Sequence, residues 1–467
     1  MDVNIQFLGA AKSVTGSKYL LDISGKKIMV DCGLFQGLKQ LRLRNWNDFP
    51  IPPKEVEVII ITHAHIDHIG YLPRMVNGGF HGRIICTQAT EDLMKIMLLD
   101  AAKLQEEEAR FALKRGYSKH AKPEPLFTID DAERVLTLVE SYPMEKQIDV
   151  GNSVTITFHN VGHILGAAFV EMDIQGTAQK KKIVFSGDVG RYDDPILYNP
   201  KAIPQADVVL VESTYGDRLN PMNKVAVDLA KIIHEAVDHD GVIVIPAFAV
   251  GRTQTLIYYF HQLMEAKAIP ILPVYIDSPM AIRATDIYER NSAYHKIEVK
   301  KVQKEFMSIF DSSNIHFCNT AESSKALNDI KSPCIIISAS GMLTGGRILH
   351  HLYHRLRNEQ DTFLFAGFQA EGTRGRTILQ GGKFVKLFGE QVPVNCHVRE
   401  IHGLSAHADQ SELLRWLDDL KVAPKKIFIT HGEETVAMNF AATIRQKRGW
   451  DPIVPSYLQS FELFKGI

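Results

Sequence analysis

Three histidines and an aspartate fall within six positions in Thr62-His63-Ala64-His65-Ile66-Asp67-His68, directly after the apolar run at 58–61. Ionisable side chains seldom crowd at the end of a buried strand. Neutral imidazole and carboxylate are, however, ordinary ligands of zinc and, less specifically, of manganese or iron. On a helix, residues two apart would point in nearly perpendicular directions, and the His-Glu-x-x-His pattern is absent. The segment therefore reads as a loop that turns into a helix near Asp67, where His63 and His65 can grip one ion while Asp67 and His68 face a second.

Two ions need more donors, and they stand at the ends of other strand-like runs. His163 follows a β-rich run at 153–160, Asp188 lies between Gly187 and Gly190, and His431 repeats the strand-to-histidine arrangement of His63. The assignment that follows gives one ion His63, His65 and His163, the other Asp67, His68 and His431, and both ions Asp188. Room for a bridging water would make the site catalytic rather than structural. Asp31, at the end of another strand-like run, fits a carboxylate that fixes a ligand imidazole from behind. Alone, His163 or His431 would be an ordinary structural histidine and Asp188 a turn residue; their joint occurrence carries the reading. His397, His402 and His407 are further histidines of this kind, whereas His350 and His354 share ligand-like spacing but have no accompanying carboxylate and read as helix surface.

These side chains need elements to hold them. Val/Ile-rich runs end at Asp31, His63, Asp188, Glu212 and His431, with helical patterns between them, for example at 91–113 and 409–420. Functional groups at strand ends are how α/β folds build sites, so the chain reads as α/β. From Tyr215 to about Val394 the rhythm changes to strand, then Gly/Ser/Thr/Arg loop, then helix, the pattern of a second α/β domain with a parallel sheet. Ligand-type residues resume afterwards, so the middle unit reads as an insertion: residues 1–212, an insertion at 213–395, and completion at 396–467. Its loops suit anions: backbone amides around Ser340 and Gly341, and Arg252, Arg347, Arg374 and Arg376, could meet successive phosphates, although each arginine equally suits an ion pair. Tyr215, Phe248 and Phe368 could stack on bases, with core packing the commoner fate. Neither a Walker A loop nor a Gly-x-Gly-x-x-Gly turn is present, which excludes a nucleotide cofactor.

Composition sets the outer limits. At 467 residues, 45% apolar and 23% charged, the chain is an ordinary globular protein with no run long enough to span a bilayer and no basic, apolar leader, so the cytoplasm is the expected location. Five scattered cysteines without a Cys-x-x-Cys pair read as buried thiols. A net charge of −1 leaves any nucleic-acid surface to a local groove.

The motifs "THAHIDH", "VGHILGA", "SGDVG" and "ITHGE" resemble the metal-binding motifs of the metallo-β-lactamase superfamily, and the insertion resembles the β-CASP domain of its nucleic-acid-processing branch. "VESTYGDR" is similar to motif A of that branch at Glu212, "GLSAHAD" to motif B at His407, and "ITHGE" to motif C at His431. The resemblance covers nearly the whole chain and includes the catalytic core of the pre-mRNA 3′-end endonuclease and compact bacterial and archaeal RNases. It implies a metallo-β-lactamase αβ/βα sandwich carrying an inserted α/β β-CASP domain, with an active site in the cleft between them. It also implies two Zn2+ ions and a ribonuclease that hydrolyses single-stranded RNA through a two-metal-activated hydroxide, expected to act endonucleolytically. Asp67, Asp188, Glu212 and His407 would be catalytic, with His407 at the scissile phosphate or leaving oxygen and Glu212 orienting it. Histidine at motif C favours RNA over DNA. A 5′-exoribonuclease, a DNA nuclease, a small-ester hydrolase and a catalytically dead scaffold are the alternatives; no membrane partner is expected, and a homodimer stays open.

Overall fold

The computed structural model describes all residues except 116–122, 178, 221–223, 298–299, 303–304, 308–309, 311, 344, 368 and 370–371; Phe368 thus lies outside the described residues. The chain divides into two compact units, Met1–Leu219 with His407–Ile467, and Asn220–Ala406.

The first unit contains two seven-stranded sheets. One has the order Ser460–Phe464, Val3–Phe7, Tyr19–Ile23, Lys26–Val30, Val56–Ile60, Arg83–Thr87, Val139–Tyr142. The other runs Pro452–Ile453, Lys426–Thr430, Val208–Glu212, Lys180–Phe185, Ala168–Gln175, Val154–Asn160, Gln147–Gly151. Side chains of both sheets share one core, with Phe7, Val30 and Ile60 packed in the same cluster as Phe185, Leu210 and Phe428. Helices such as Gln88–Arg115, Gln410–Leu417 and Glu434–Arg448 complete this sandwich. The central strand Val208–Glu212 is buried at every residue and apolar up to its terminal Glu212, as a strand covered on both faces must be.

Topology brings the site together. Lys26–Val30 and Val56–Ile60 run parallel in one sheet, and Lys180–Phe185, Val208–Glu212 and Lys426–Thr430 run parallel in the other. The residues that follow these five strands therefore emerge at like ends of the two sheets, and these are Asp31, His63, Asp188, Ser213 and His431.

The second unit is built on a six-stranded sheet in the order Ile315–Phe317, Val274–Ile276, Ile335–Ser338, Ile243–Pro246, Thr362–Phe365, His397–Glu400. Each of its pairings is parallel. His397 thus begins an edge strand of this sheet, although the sequence pattern ends the insertion at 395, and the unit continues to Ala406. All five cysteines are buried and free. No described helix is long and apolar enough to cross a membrane.

Candidate metal centre

The block at 62–68 is a loop leading into the short helix Ile66–Ile69, with His65 in extended backbone immediately before it. The helix puts His68 inward, buried, and leaves Asp67 half-buried. Its position is set by the strand-end loop beside it: the Cys32 N–H donates to the His68 carbonyl at 2.7 Å and the Leu34 N–H to the Ile66 carbonyl at 3.0 Å. A Cβ on Gly33 would stand 1.5 Å from the Asp67 carbonyl oxygen, so only glycine permits this approach.

Four donors converge on one point. His63 Nε2 lies 3.0 Å from His65 Nδ1, His163 Nε2 lies 3.2 Å from the same atom, and both Nε2 atoms are 3.5 Å from Asp188 Oδ2. A second set adjoins it: His68 Nε2 is 3.2 Å from His431 Nε2 and 3.3 Å from Asp188 Oδ1, and His431 Nε2 is 3.4 Å from Asp67 Oδ2. A tetrahedron with ligand bonds of about 2.0–2.1 Å has edges of roughly 3.3 Å, so these spacings are those of atoms arranged around zinc. Asp188 presents one oxygen to each set. Although buried, its Oδ1 accepts no hydrogen bond from the protein, as expected of an atom reserved for a cation. The donor chemistry and this orphaned oxygen fit two ions.

Electrostatics agree with that role for the first set of imidazoles and for Asp188. His63 and His163 are held well below the ordinary imidazole value, chiefly by burial and then by neighbouring imidazoles, and burial brings His65 down to about 4. Their lone pairs are therefore free to bind. Burial would raise the Asp188 carboxyl, but His431, His68 and His63 outweigh it and hold the group well below the usual carboxylate range. Burial likewise opposes charge on His68, and here Asp188 and Asp31 prevail and raise it well above its ordinary value.

Partners behind the donors aim the rings. Asp31 Oδ2 lies 2.7 Å from His68 Nδ1, turning Nε2 toward the site, and Asp31 is itself held by the Thr62 N–H at 2.8 Å and hydroxyl at 2.9 Å. The Thr62 hydroxyl also lies 3.1 Å from His63 Nδ1, and the Thr214 hydroxyl 3.0 Å from His431 Nδ1. Asp31 and His431 both adopt left-handed backbone, with φ of 58° and 48°, and each is pinned by a 2.8 Å bond, from its N–H to the carbonyls of Ile60 and Ala10 respectively.

His407 stands beside the centre. Its ring centroid is 4.5 Å from that of His163 and 5.9 Å from Tyr215, and its backbone bridges to Gly190. The helix Gln410–Leu417 is capped by Asp409 in a reciprocal capping box with Glu412, so His407 is not needed as a cap. Its Nδ1–H donates to Glu212 Oε1 at 3.1 Å. Glu212 is fully buried and takes two further N–H groups, from Val189 at 2.9 Å and Thr214 at 3.0 Å. One oxygen of Glu212 comes within reach of Asp188 and His431, but these three bonds commit the carboxylate to His407 and the adjoining loops. Burial alone would lower His407, and the Glu212 carboxylate reverses this, raising it to about 9.

Three matches to family models tile this chain: the metallo-beta-lactamase superfamily over residues 14–220, the Beta-Casp domain over 253–378, and the Zn-dependent metallo-hydrolase RNA specificity domain over 391–455. Ribonuclease TTHA0252 of Thermus thermophilus is 35% identical, the match covering 91% of this chain and 92% of that one. The chain belongs to the metallo-β-lactamase superfamily, in its β-CASP branch. Transcription termination factor FttA of Methanocaldococcus jannaschii is a more distant relative, 28% identical over 99% of this chain and 72% of its own. A protein of unknown function from Enterococcus faecalis shares the fold at 12% identity, with a TM-score of 0.55 over 99% of this chain and 100% of that chain. The αβ/βα sandwich with an inserted α/β domain is thus the β-CASP metallo-β-lactamase fold, and the donor clusters make it a metal-binding member.

Other residues singled out in the sequence are placed elsewhere. Arg347 points at Asp277 at 2.8 Å and at the Cys318 and Asn319 carbonyls at 2.7 and 3.2 Å, and Arg374 donates to the Lys386 and Leu343 carbonyls. Arg376 is exposed. Arg252 lies where a Cβ on Gly367 would be, 2.5 Å from its guanidinium. The Ser340 hydroxyl donates to the Gly345 carbonyl at 3.3 Å, and the Gly341 carbonyl accepts from Gln369 at 2.8 Å. Phe248 is exposed. His350 stacks on Phe388, His397 stacks on His239, and His402 is exposed beside Glu400; among the described residues none of them joins a group able to hold an ion.

Proposed function

We propose that this chain is a zinc-dependent ribonuclease that hydrolyses phosphodiester bonds of single-stranded RNA, endonucleolytically, with two Zn2+ ions in the centre described above and the cytoplasm as its place of action. The observation that carries the reading is the junction of a complete seven-residue donor set with a His407–Glu212 pair outside it, anchored by the buried Glu212. A small-ester hydrolase would use the donors and leave that pair without a task. The names of the two relatives, a ribonuclease and a transcription termination factor, support a nucleic-acid substrate and RNA in particular.

His63, His65 and His163 would hold one ion, Asp67, His68 and His431 the other, and Asp188 both; when bound, such ions provide Lewis acidity that makes water nucleophilic near neutral pH and offsets phosphate charge. Asp31 keeps the His68 ring in its binding orientation. Glu212 fixes His407 through Nδ1, which leaves Nε2 for substrate. The Glu212 carboxylate at its Nδ1 favours a proton on the His407 ring. As water adds to phosphorus and the P–O bond breaks, that proton passes to the departing oxygen, contributing about 10²–10⁴-fold in rate.

The test is a time course of zinc-loaded protein on 5′-labelled single-stranded RNA bearing a 5′-monophosphate, with matched DNA alongside, at single-nucleotide resolution. Labelled fragments of defined internal lengths are expected from RNA. Immediate release of labelled mononucleotide would convert the reading to a 5′-exonuclease, and an inert response to both polymers would remove it.

A further inference from the structure

The loop that leaves the centre after Asp31 has a second construction built into it. Residues 35–45 form a hoop closed at its base by buried Asn45, whose side chain accepts from the Phe35 N–H at 2.9 Å and donates to the Phe35 carbonyl at 2.8 Å. The far side of the loop is anchored by Phe49, stacked on Tyr71 at 5.9 Å just beyond the helix that carries His68. The near side is tied to Asp67 and His68 through Gly33 and Cys32, as above. The hoop is therefore a preformed part of the wall beside the metal donors.

Its outer surface is unusual. Leu38, Leu43 and Trp46 are 70%, 53% and 52% exposed within nine positions. Lys39 and Arg42 are exposed among them, and Arg44 sits 4.1 Å over the Tyr457 ring and 5.3 Å from the Phe35 centroid. Among the described residues, Lys39, Arg42 and Arg44 have no ion-pair partner, and the neighbouring Asp48 engages none of them. Elsewhere among the described residues of this unit some exposed cations pair, as Lys27 does with Glu55 and Arg83 with Glu140, and others do not; what sets the hoop apart is three such cations interleaved with exposed apolar side chains. Flat apolar faces interleaved with unneutralised cations are the chemistry of a single-stranded polyanion site, where bases stack and phosphates are neutralised. A second copy of this chain fits less well, because a two-fold contact through this patch would set one cationic cluster against another.

We propose that this hoop is a binding subsite for the single-stranded polynucleotide flanking the scissile phosphate, with Trp46 as a stacking face for bases and Lys39, Arg42 and Arg44 on successive phosphates. The inference rests on the RNA-hydrolase reading above. The test uses zinc-loaded full-length protein and its Lys39→Ser/Arg42→Ser/Trp46→Ala variant on two substrates. One is an oligouridylate of about 20 nucleotides, longer than the ~4–16 that one such groove covers; the other is the dinucleotide UpU. In the variant, the ratio of kcat/KM on the long strand to that on UpU should fall about tenfold or more. The slope of log kcat/KM on the long strand against log salt should flatten by about 1.4 for the two lost cations. A ratio and slope equal to wild type would overturn the subsite and leave the ribonuclease reading intact. A wild-type protein inert to both RNAs would instead overturn that reading and the subsite with it. A change from dimer to monomer in sedimentation would make the hoop a contact between copies and overturn the proposal.

Discussion

Replacing one imidazole at a time should separate holding an ion from moving a proton. His65→Ala or Asp188→Ala removes a donor from sets whose atoms lie 3.0–3.5 Å apart, and both zinc content after dialysis and cleavage should collapse. His407→Ala leaves those sets whole, so zinc stoichiometry should stay at the wild-type value while turnover falls about 10²–10⁴-fold. Wild-type turnover by that variant would strip His407 of its role. His354→Ala should leave zinc stoichiometry unchanged, since its ring edges onto Tyr353 away from any donor set. The donors themselves were legible because imidazoles and carboxylates crowded at strand ends have few other uses. Thr62 and Thr214, which aim His63, His431 and Asp31, were not: a threonine at a strand end has too many ordinary explanations to stand out. Arg347 was read as either a phosphate contact or an ion pair, and it pairs with Asp277; which carboxylate it would meet was not legible, because Asp277 is 70 positions away and nothing local announces the pair.

Elements carry a different kind of consequence, because cross-strand charge pairs tie neighbouring strands. Glu171 on Ala168–Gln175 faces His159 on Val154–Asn160 at 2.8 Å and Lys182 on Lys180–Phe185. The His159 contact first, and then Lys182, acting against the opposing effect of burial, bring the Glu171 carboxyl from 4.5 down to about 2. A carboxyl depressed by folding stabilises the fold fully above its unfolded value and loses that contribution as pH falls through the folded one. Glu171→Gln should therefore lower the urea midpoint at pH 7, and the difference from wild type should shrink between pH 4.5 and 2. A constant difference across that range would show that lost packing, not charge, sets the effect. Two of these strands, at 153–160 and before Asp188, were readable from their β-branched content, but Ala168–Gln175 and the order of the three were not, since antiparallel and parallel neighbours present the same local pattern. The edge strand His397–Glu400 shows the cost. Its pairing with Thr362–Phe365 is invisible in a four-residue run, so the sequence pattern assigns it no place in the sheet.

For the whole molecule, the decisive feature is the distance in sequence that the centre spans. Its donors run from His63 to His431, with the entire second unit lying between Asp188 and His431. An insertion was legible because ligand-type residues stop and then resume around a differently patterned stretch, and the strand ends were read as one site; the strand order in each sheet that brings them together was not, because it depends on which strands run parallel. The same geometry makes the ions a fastening for the first unit, since an unfolded chain cannot keep donors this far apart in sequence together. Ligand that binds only the folded state adds about 2.7 kcal/mol at a hundred times its dissociation constant. A unit of this size shifts in melting temperature by roughly 2 °C per kcal/mol. Scanning calorimetry of zinc-loaded and chelator-stripped protein should therefore differ by several degrees, and Asp188→Asn, which withdraws charge from both donor sets at once, should erase most of that difference. Stripping that leaves the wild-type transition unmoved would mean that the folded donors do not hold their ions tightly, and that the centre assembles only when substrate phosphate completes it.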